Sequence, residues 1–134
     1  MTLIEVLITL TVISVVLAMS APSVVRTMEQ AHADMVGANL RAIWIAERAY
    51  WLDHRVYATD LATLQTAGLL DPSIVAGSRY TYAISNADGS HFRAVATRVG
   101  SGVWSGQLAI DETGAISGAV TNARSNYQIT PGFE

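Results

Sequence analysis

LIEVLITLTVISVVLAM, residues 3–19, is an apolar run interrupted by one charge, Glu5, and no other ionisable side chain occurs in the first 25 residues. As an α-helix, residues 3–21 would extend about 28 Å, close to the hydrocarbon thickness of a bilayer. The run can therefore span. An acidic group inside a spanning helix costs roughly 2.5 to 3.5 kcal/mol on insertion scales, so Glu5 calls for a compensating partner. The nearest positive group is the α-amino group of a chain that begins at Met1, reached within one chain or between neighbouring copies. A carboxylate in the first turn also faces the positive end of the helix dipole, worth about 0.3 to 1 kcal/mol when exposed.

Working outward, the helical pattern continues past Pro22 but becomes amphipathic. Val36, Leu40, Ile43, Trp44, Tyr50 and Trp51 recur at three- and four-residue spacings, with Arg26, Glu29, Asp34, Arg41, Glu47 and Arg48 between them. One helix is expected to run to about residue 53, its first half apolar all round and its second half packed under a head. Pro22 lacks a backbone donor and crowds the carbonyl of Ala18, which predicts a kink, with Ser14 and Ser20 weakening the helix further. Gly37, among small neighbours, suits a close helix contact.

Residues 53–78 read as a connecting loop with one short helix at 60–67, ended by Gly68, and with Tyr57, Leu61, Leu64, Leu69 and Leu70 as core. Residues 80–85, 91–99, 103–111 and 115–120 then have strand character, separated by turn-forming runs such as Asn86-Ala-Asp-Gly89. Alternation of Phe92, Ala94 and Ala96, and of Trp104, Leu108 and Ile110, gives a sheet with one face free to cover the helix. The expected fold class is α+β: a long N-terminal helix against a small antiparallel meander of three or four strands. Residues 1–25 are expected to form the apolar, membrane-length helix, and residues 26–134 the amphipathic half-helix and globular β-sheet head. The tail, residues 121–134, is either an edge strand or a surface loop.

The run MTLIEVLITL, with Glu5 counted from the N-terminus and Ala21-Pro22 closing the apolar segment, resembles a processed type IV pilin or pseudopilin. Met1 stands where that family most often has Phe. The resemblance covers about the first 25 residues strongly and the remainder only in architecture. It implies removal of a leader ending in glycine, methylation of the new N-terminal amine, and assembly of a homopolymer in which Glu5 pairs with the amine of Met1 on an adjacent subunit. It also implies that the segment before the proline melts when subunits pack, here within residues 14–23, from Ser14 past Pro22. The implied function is that of a structural subunit, a major pilin, whose pilus supports adhesion, twitching motility or DNA uptake. Its implied partners are the inner membrane and an assembly machinery with a cytoplasmic ATPase motor. The implied location is an inner-membrane precursor pool and then a cell-surface filament, or the periplasm for a pseudopilin of type II secretion. A minor pilin and a monotopic membrane-anchored binding protein are the other readings of the same features.

Composition narrows the head. The chain has 134 residues, no cysteine, eight basic residues that are all Arg, and a net charge of -3. Without cysteine there is neither a disulfide nor a thiolate nucleophile. Without clustered cations a nucleic-acid site has little support. His32, His54 and His91 lack metal-ligand spacing and are expected at the surface. Asp88-Gly89 and residues 111–114 fit ordinary turns better than calcium loops. The glycines of residues 100–106 begin like a dinucleotide fingerprint, but no helix signal follows and a hairpin turn accounts for them better. No catalytic, cofactor or metal site is expected, and the site residues are those of assembly, Met1 and Glu5, and of helix distortion, Ser14 and Pro22.

Overall fold

The computed structural model describes residues 2–132 and has the expected α+β layout, a long N-terminal helix packed on a five-stranded antiparallel sheet. Helix α1, Leu3–His54, has 52 residues, about 78 Å at 1.5 Å per residue. Thr2 caps its start, and at its end Arg55 turns left-handed (φ 60°) while its N–H donates to the carbonyl of Trp51.

Residues 2–28 are all exposed, and the first buried position is Glu29. From there Glu29, Ala33, Val36, Leu40, Ile43 and Glu47 are buried, at alternating four- and three-residue steps that define one stripe facing the sheet. Two carboxylates thus belong to the buried stripe, although the apolar pattern places them between its members. Each survives burial because it meets a donor, as described below.

The helix is unbroken through residues 14–23, so the expected melting around Ser14 and Pro22 is not a feature of the single chain. Pro22 removes one donor, the one that would reach Ala18. The hydroxyls of Ser14, Ser20 and Ser23 donate back to the carbonyls of Leu10, Val16 and Ser20 at 2.7, 2.9 and 2.8 Å. Their polarity is satisfied without opening the backbone ladder.

The stretch after α1 holds two short helices, α2 (Leu61–Thr66) and α3 (Pro72–Val75), started by the side chains of Asp60 and Asp71. Tyr57, Leu64 and Leu70 are buried and Leu61 is partly so, but Leu69 is exposed. Gly68 reverses the chain with φ 71°, and the N–H groups of Leu69 and Leu70 both donate to Leu64. So tight a turn points successive side chains apart, and only Leu70 reaches the core.

Strands β1 (Tyr80–Ala87), β2 (Phe92–Arg98), β3 (Trp104–Asp111), β4 (Ile116–Asn122) and β5 (Gln128–Ile129) form a meander in chain order. The tail therefore supplies an edge strand, with Ile129 opposite Val120. Ala94 faces Ile110 and Ala96 faces Leu108 across β2 and β3, and these four residues are among the most buried in the chain. Small side chains alternating with large ones leave α1 room to settle on the sheet. Within β3 and β4, Gly106 and Gly118 have φ of +142° and +94°, and a Cβ on either would fall 2.2 Å from a carbonyl oxygen of the neighbouring strand. Glycine is required at both places for the strands to pair.

Candidate functional site

Three parts of α1 carry polar chemistry: its first turn, its point of entry into the head, and its last buried turn. In the first turn Glu5 and Thr2 form a reciprocal capping box. The Thr2 N–H donates to Oε2 of Glu5 at 2.8 Å and the Thr2 hydroxyl to the same oxygen at 3.2 Å, while the Glu5 N–H donates to the Thr2 hydroxyl at 3.4 Å. The carboxylate thus has partners within its own chain that the residue spacing alone did not disclose, although Thr-x-x-Glu is the capping-box signature. Met1, expected to provide the positive partner, lies outside the described residues. Around Glu5 the stem is bare, with Leu3, Ile4, Leu7 and Ile8 exposed. The helix is long and apolar enough to cross a membrane.

Where the stem meets the head, Glu29 is gripped by Arg98 at the end of β2. Nε donates to Oε1 at 2.6 Å and Nη2 to Oε2 at 3.3 Å, and both side chains are almost wholly enclosed. The third guanidinium nitrogen, Nη1, donates to the carbonyls of Val99 and Arg79 at 2.6 and 3.3 Å. Buried ion pairs hold when their polar groups are bonded, and here all three guanidinium nitrogens donate; removal of one partner strands the other charge. The guanidinium also lies 5.6 Å over the ring of Tyr80. Burial, reinforced by the negative charge of Glu29, pushes the Tyr80 hydroxyl up to about 12.

Further fastenings run along the same helix. Gln30 donates to the carbonyl of Thr130 at 2.8 Å, and Asp34 accepts from the Gly132 N–H at 2.9 Å, tying the tail down. The Trp44 indole donates to the carbonyl of Glu112 at 3.1 Å, and the Trp51 indole to that of Gly89 at 2.9 Å. The two turns that invited a calcium reading are therefore docking points for helix tryptophans. Their aspartates are occupied by the turns themselves: Asp88 accepts from the N–H groups of Ser90 and His91, and Asp111 from the N–H and hydroxyl of Thr113. These backbone bonds hold the Asp88 carboxyl below its usual range.

At the last buried turn Glu47 is 0% exposed, and its Oε2 accepts from the Ala58 N–H at 2.8 Å. Oε1 is enclosed without a hydrogen-bond partner, and burial raises this carboxyl from 4.5 to about 7. The histidines divide. His54 stacks on Tyr50 with ring centroids 4.0 Å apart and is exposed. His91 is exposed and pairs with Glu112 at 2.8 Å, which raises the imidazole above its ordinary value and lowers the carboxyl. His32, expected at the surface, is half-buried with Nδ1 enclosed, because it sits at the rim of a cavity of about 310 Å³ between α1 and the residues just before β1.

The structure does not bring Glu5, Ser14 and Pro22 together with anything in the head; they stand on the exposed stem. Sequence reasoning missed Glu29, Arg98 and Glu47 as fold-bearing residues. A signal for two of them existed: Glu29 and Glu47 fall in register with Ala33, Val36, Leu40 and Ile43 once the spacing is followed in both directions. No signal in the order of residues pointed to Arg98. No family model matches the chain, and no curated protein matches it either.

Proposed function

We propose that this chain is a structural subunit of a type IV pilus-like filament, stored in a membrane and polymerised through its N-terminal stem. The supporting observation is the division of one helix: 26 of its residues, 3–28, are exposed and largely apolar, and the rest is clamped by a sheet-bearing head. A surface of that kind is insoluble by itself, and either lipid or the stems of other copies would cover it. Glu5 supplies register. As a subunit joins, its carboxylate meets the N-terminal amine of the next chain, and pairing relieves two charges in an apolar bundle. Melting between Ser14 and Ser23 belongs to the packed state under this reading, since the single chain is helical there. Motive force comes from an ATP-driven machine outside the chain. The filament stands at the cell surface, serving adhesion, motility or DNA uptake, or in the periplasm if the chain acts in secretion.

The capping box favours a second reading, a monotopic protein whose head binds a ligand outside the membrane. Thr2 already gives Glu5 partners within one chain, so no neighbour is needed. Electron microscopy of sheared surface material, with mass spectrometry of the N-terminal peptide, separates the two. Under the filament reading the wild-type chain yields filaments with a methylated N-terminus and Glu5→Ala loses them. A membrane-bound chain that forms no filament, and whose function survives Glu5→Ala, would support the anchor.

A further inference from the structure

Where α1 passes the chain that leads into β1, the head leaves a cavity of about 310 Å³, within the size range of small-molecule sites. Its floor is buried, made by Val36 and Tyr80, and its mouth is exposed, edged by Met35, Ser78 and Arg79. Ile74 and Tyr82 add partly buried apolar walls. The polar atoms around this space are not satisfied within the chain. The Tyr80 hydroxyl and Nδ1 of His32 are both enclosed without a hydrogen-bond partner among the described residues. The Tyr82 hydroxyl accepts from Nδ2 of Asn39 at 2.9 Å, which leaves its own proton to be donated. Burial raises both tyrosine hydroxyls above their ordinary value, so each remains a donor at neutral pH. Buried polar groups are ordinarily bonded, and two unbonded ones around a single cavity call for whatever completes them.

We infer that this cavity binds a small organic acid, its carboxylate received by the Tyr80 hydroxyl, His32 and Arg79, and its apolar body held between Met35, Val36 and Ile74. Charge selects an acid over a neutral molecule or an amine. Arg79 and His32 line the cavity and no carboxylate does. The Arg79 guanidinium is near enough to the Tyr80 hydroxyl for its charge to act there. The Glu29 carboxylate acts on the same hydroxyl, but it is already paired with Arg98 at 2.6 Å. A phenol, an imidazole and a guanidinium are donors that one carboxylate can accept from together, since its two oxygens offer about four lone pairs. Apolar walls keep water from those bonds and so strengthen them. The site belongs to the head and asks nothing of the stem, so it goes beyond the assembly reading and suits a filament subunit and a membrane-anchored protein alike.

The probe is benzoate, with benzamide as its neutral counterpart, added to the full chain in lipid nanodiscs and followed by the NMR signals of the His32 ring. Benzoate should bind about tenfold more tightly than benzamide, the ratio expected when a charged hydrogen bond is lost. Tyr80→Phe removes only the unpartnered hydroxyl and should fold; it weakens benzoate about tenfold. Arg79→Gln, at the exposed mouth, weakens benzoate by a similar factor and leaves benzamide unchanged. If benzamide binds as tightly as benzoate, the cavity takes an apolar body without regard to charge and the acid is overturned. If inorganic phosphate binds as tightly as benzoate, the apolar body is overturned. Benzoate binding that neither variant weakens lies elsewhere on the chain and overturns the site. If no probe moves the His32 signals at millimolar concentration, water alone fills the cavity and the proposal fails. None of these outcomes bears on assembly, which the sheared material tests separately.

Discussion

The two halves of α1 are one helix by backbone and two different objects by environment. From Leu3 to Met28 no residue is buried, Arg26 reaches the head with its guanidinium 4.8 Å over the Tyr127 ring, and the hydroxyls of the stretch bond back to its own carbonyls. From Glu29 onward it is gripped on one side by all five strands' worth of head, through an ion pair, two indoles and the tail. An isolated helix in water is marginal; the second half is held by its packing, and the first, long and apolar enough to cross a membrane, has no such packing to hold it.

The sharpest way to break this contrast is at the junction. Arg98→Ala should cost the head about 3 to 5 kcal/mol by stranding the buried Glu29 carboxylate, read by denaturant unfolding of the detergent-solubilised chain. A loss below 1 kcal/mol would mean that water enters to solvate Glu29 and that the junction is not a clamp. Next, Leu40→Ala in the clamped half should cost about 2 to 5 kcal/mol. Leu10→Ala on the stem should leave head unfolding within about 0.5 kcal/mol of wild type. Equal effects from these two leucines would erase the distinction between the halves.

A smaller, pH-dependent effect follows from Glu47. Its carboxyl rises from 4.5 to about 7 on folding, so between those values the folded chain holds a proton that the unfolded chain has released. Stability from this group is full below about pH 4.5 and declines as pH rises through 7. His91, raised by Glu112, contributes a loss in the same direction as pH climbs past its ordinary range, so the informative quantity is a difference. Unfolding midpoints of Glu47→Gln against wild type should converge at low pH and separate by pH 8, with the variant the more stable there. Parallel curves would show that Glu47 stays ionised in the fold. The least effect is expected at Glu112→Gln, which removes the exposed partner of His91 and should shift the imidazole titration downward by NMR with little change in unfolding.

Much of the head was legible because turns and alternation are local. Residues 103–111 were expected as a strand and Trp104–Asp111 is one, since Asp111 and Gly114 mark its end and Leu108 and Ile110 set its buried face. Leu69 was misplaced because a left-handed Gly68 decides which of two adjacent leucines turns inward, and hydrophobicity does not record that. Glu47 looked solvent-facing because its only donor, the Ala58 N–H, arrives from the chain's return after α1.

By itself the sequence determined the things that depend on composition along a line: a membrane-length stem with one acid near its start, one continuous helix, strands with a covered face, and a head without disulfides. Tertiary structure alone decided what depends on partners distant in the chain. It took Arg98, 69 residues away, to make Glu29 a buried clamp, and a neighbouring strand for the tail to become β5. The helix is buried by the head only from Glu29 onward, where the donors of another element first come within reach of its carboxylates. A buried charge is tolerated where such donors converge, and their convergence is a property of the folded chain.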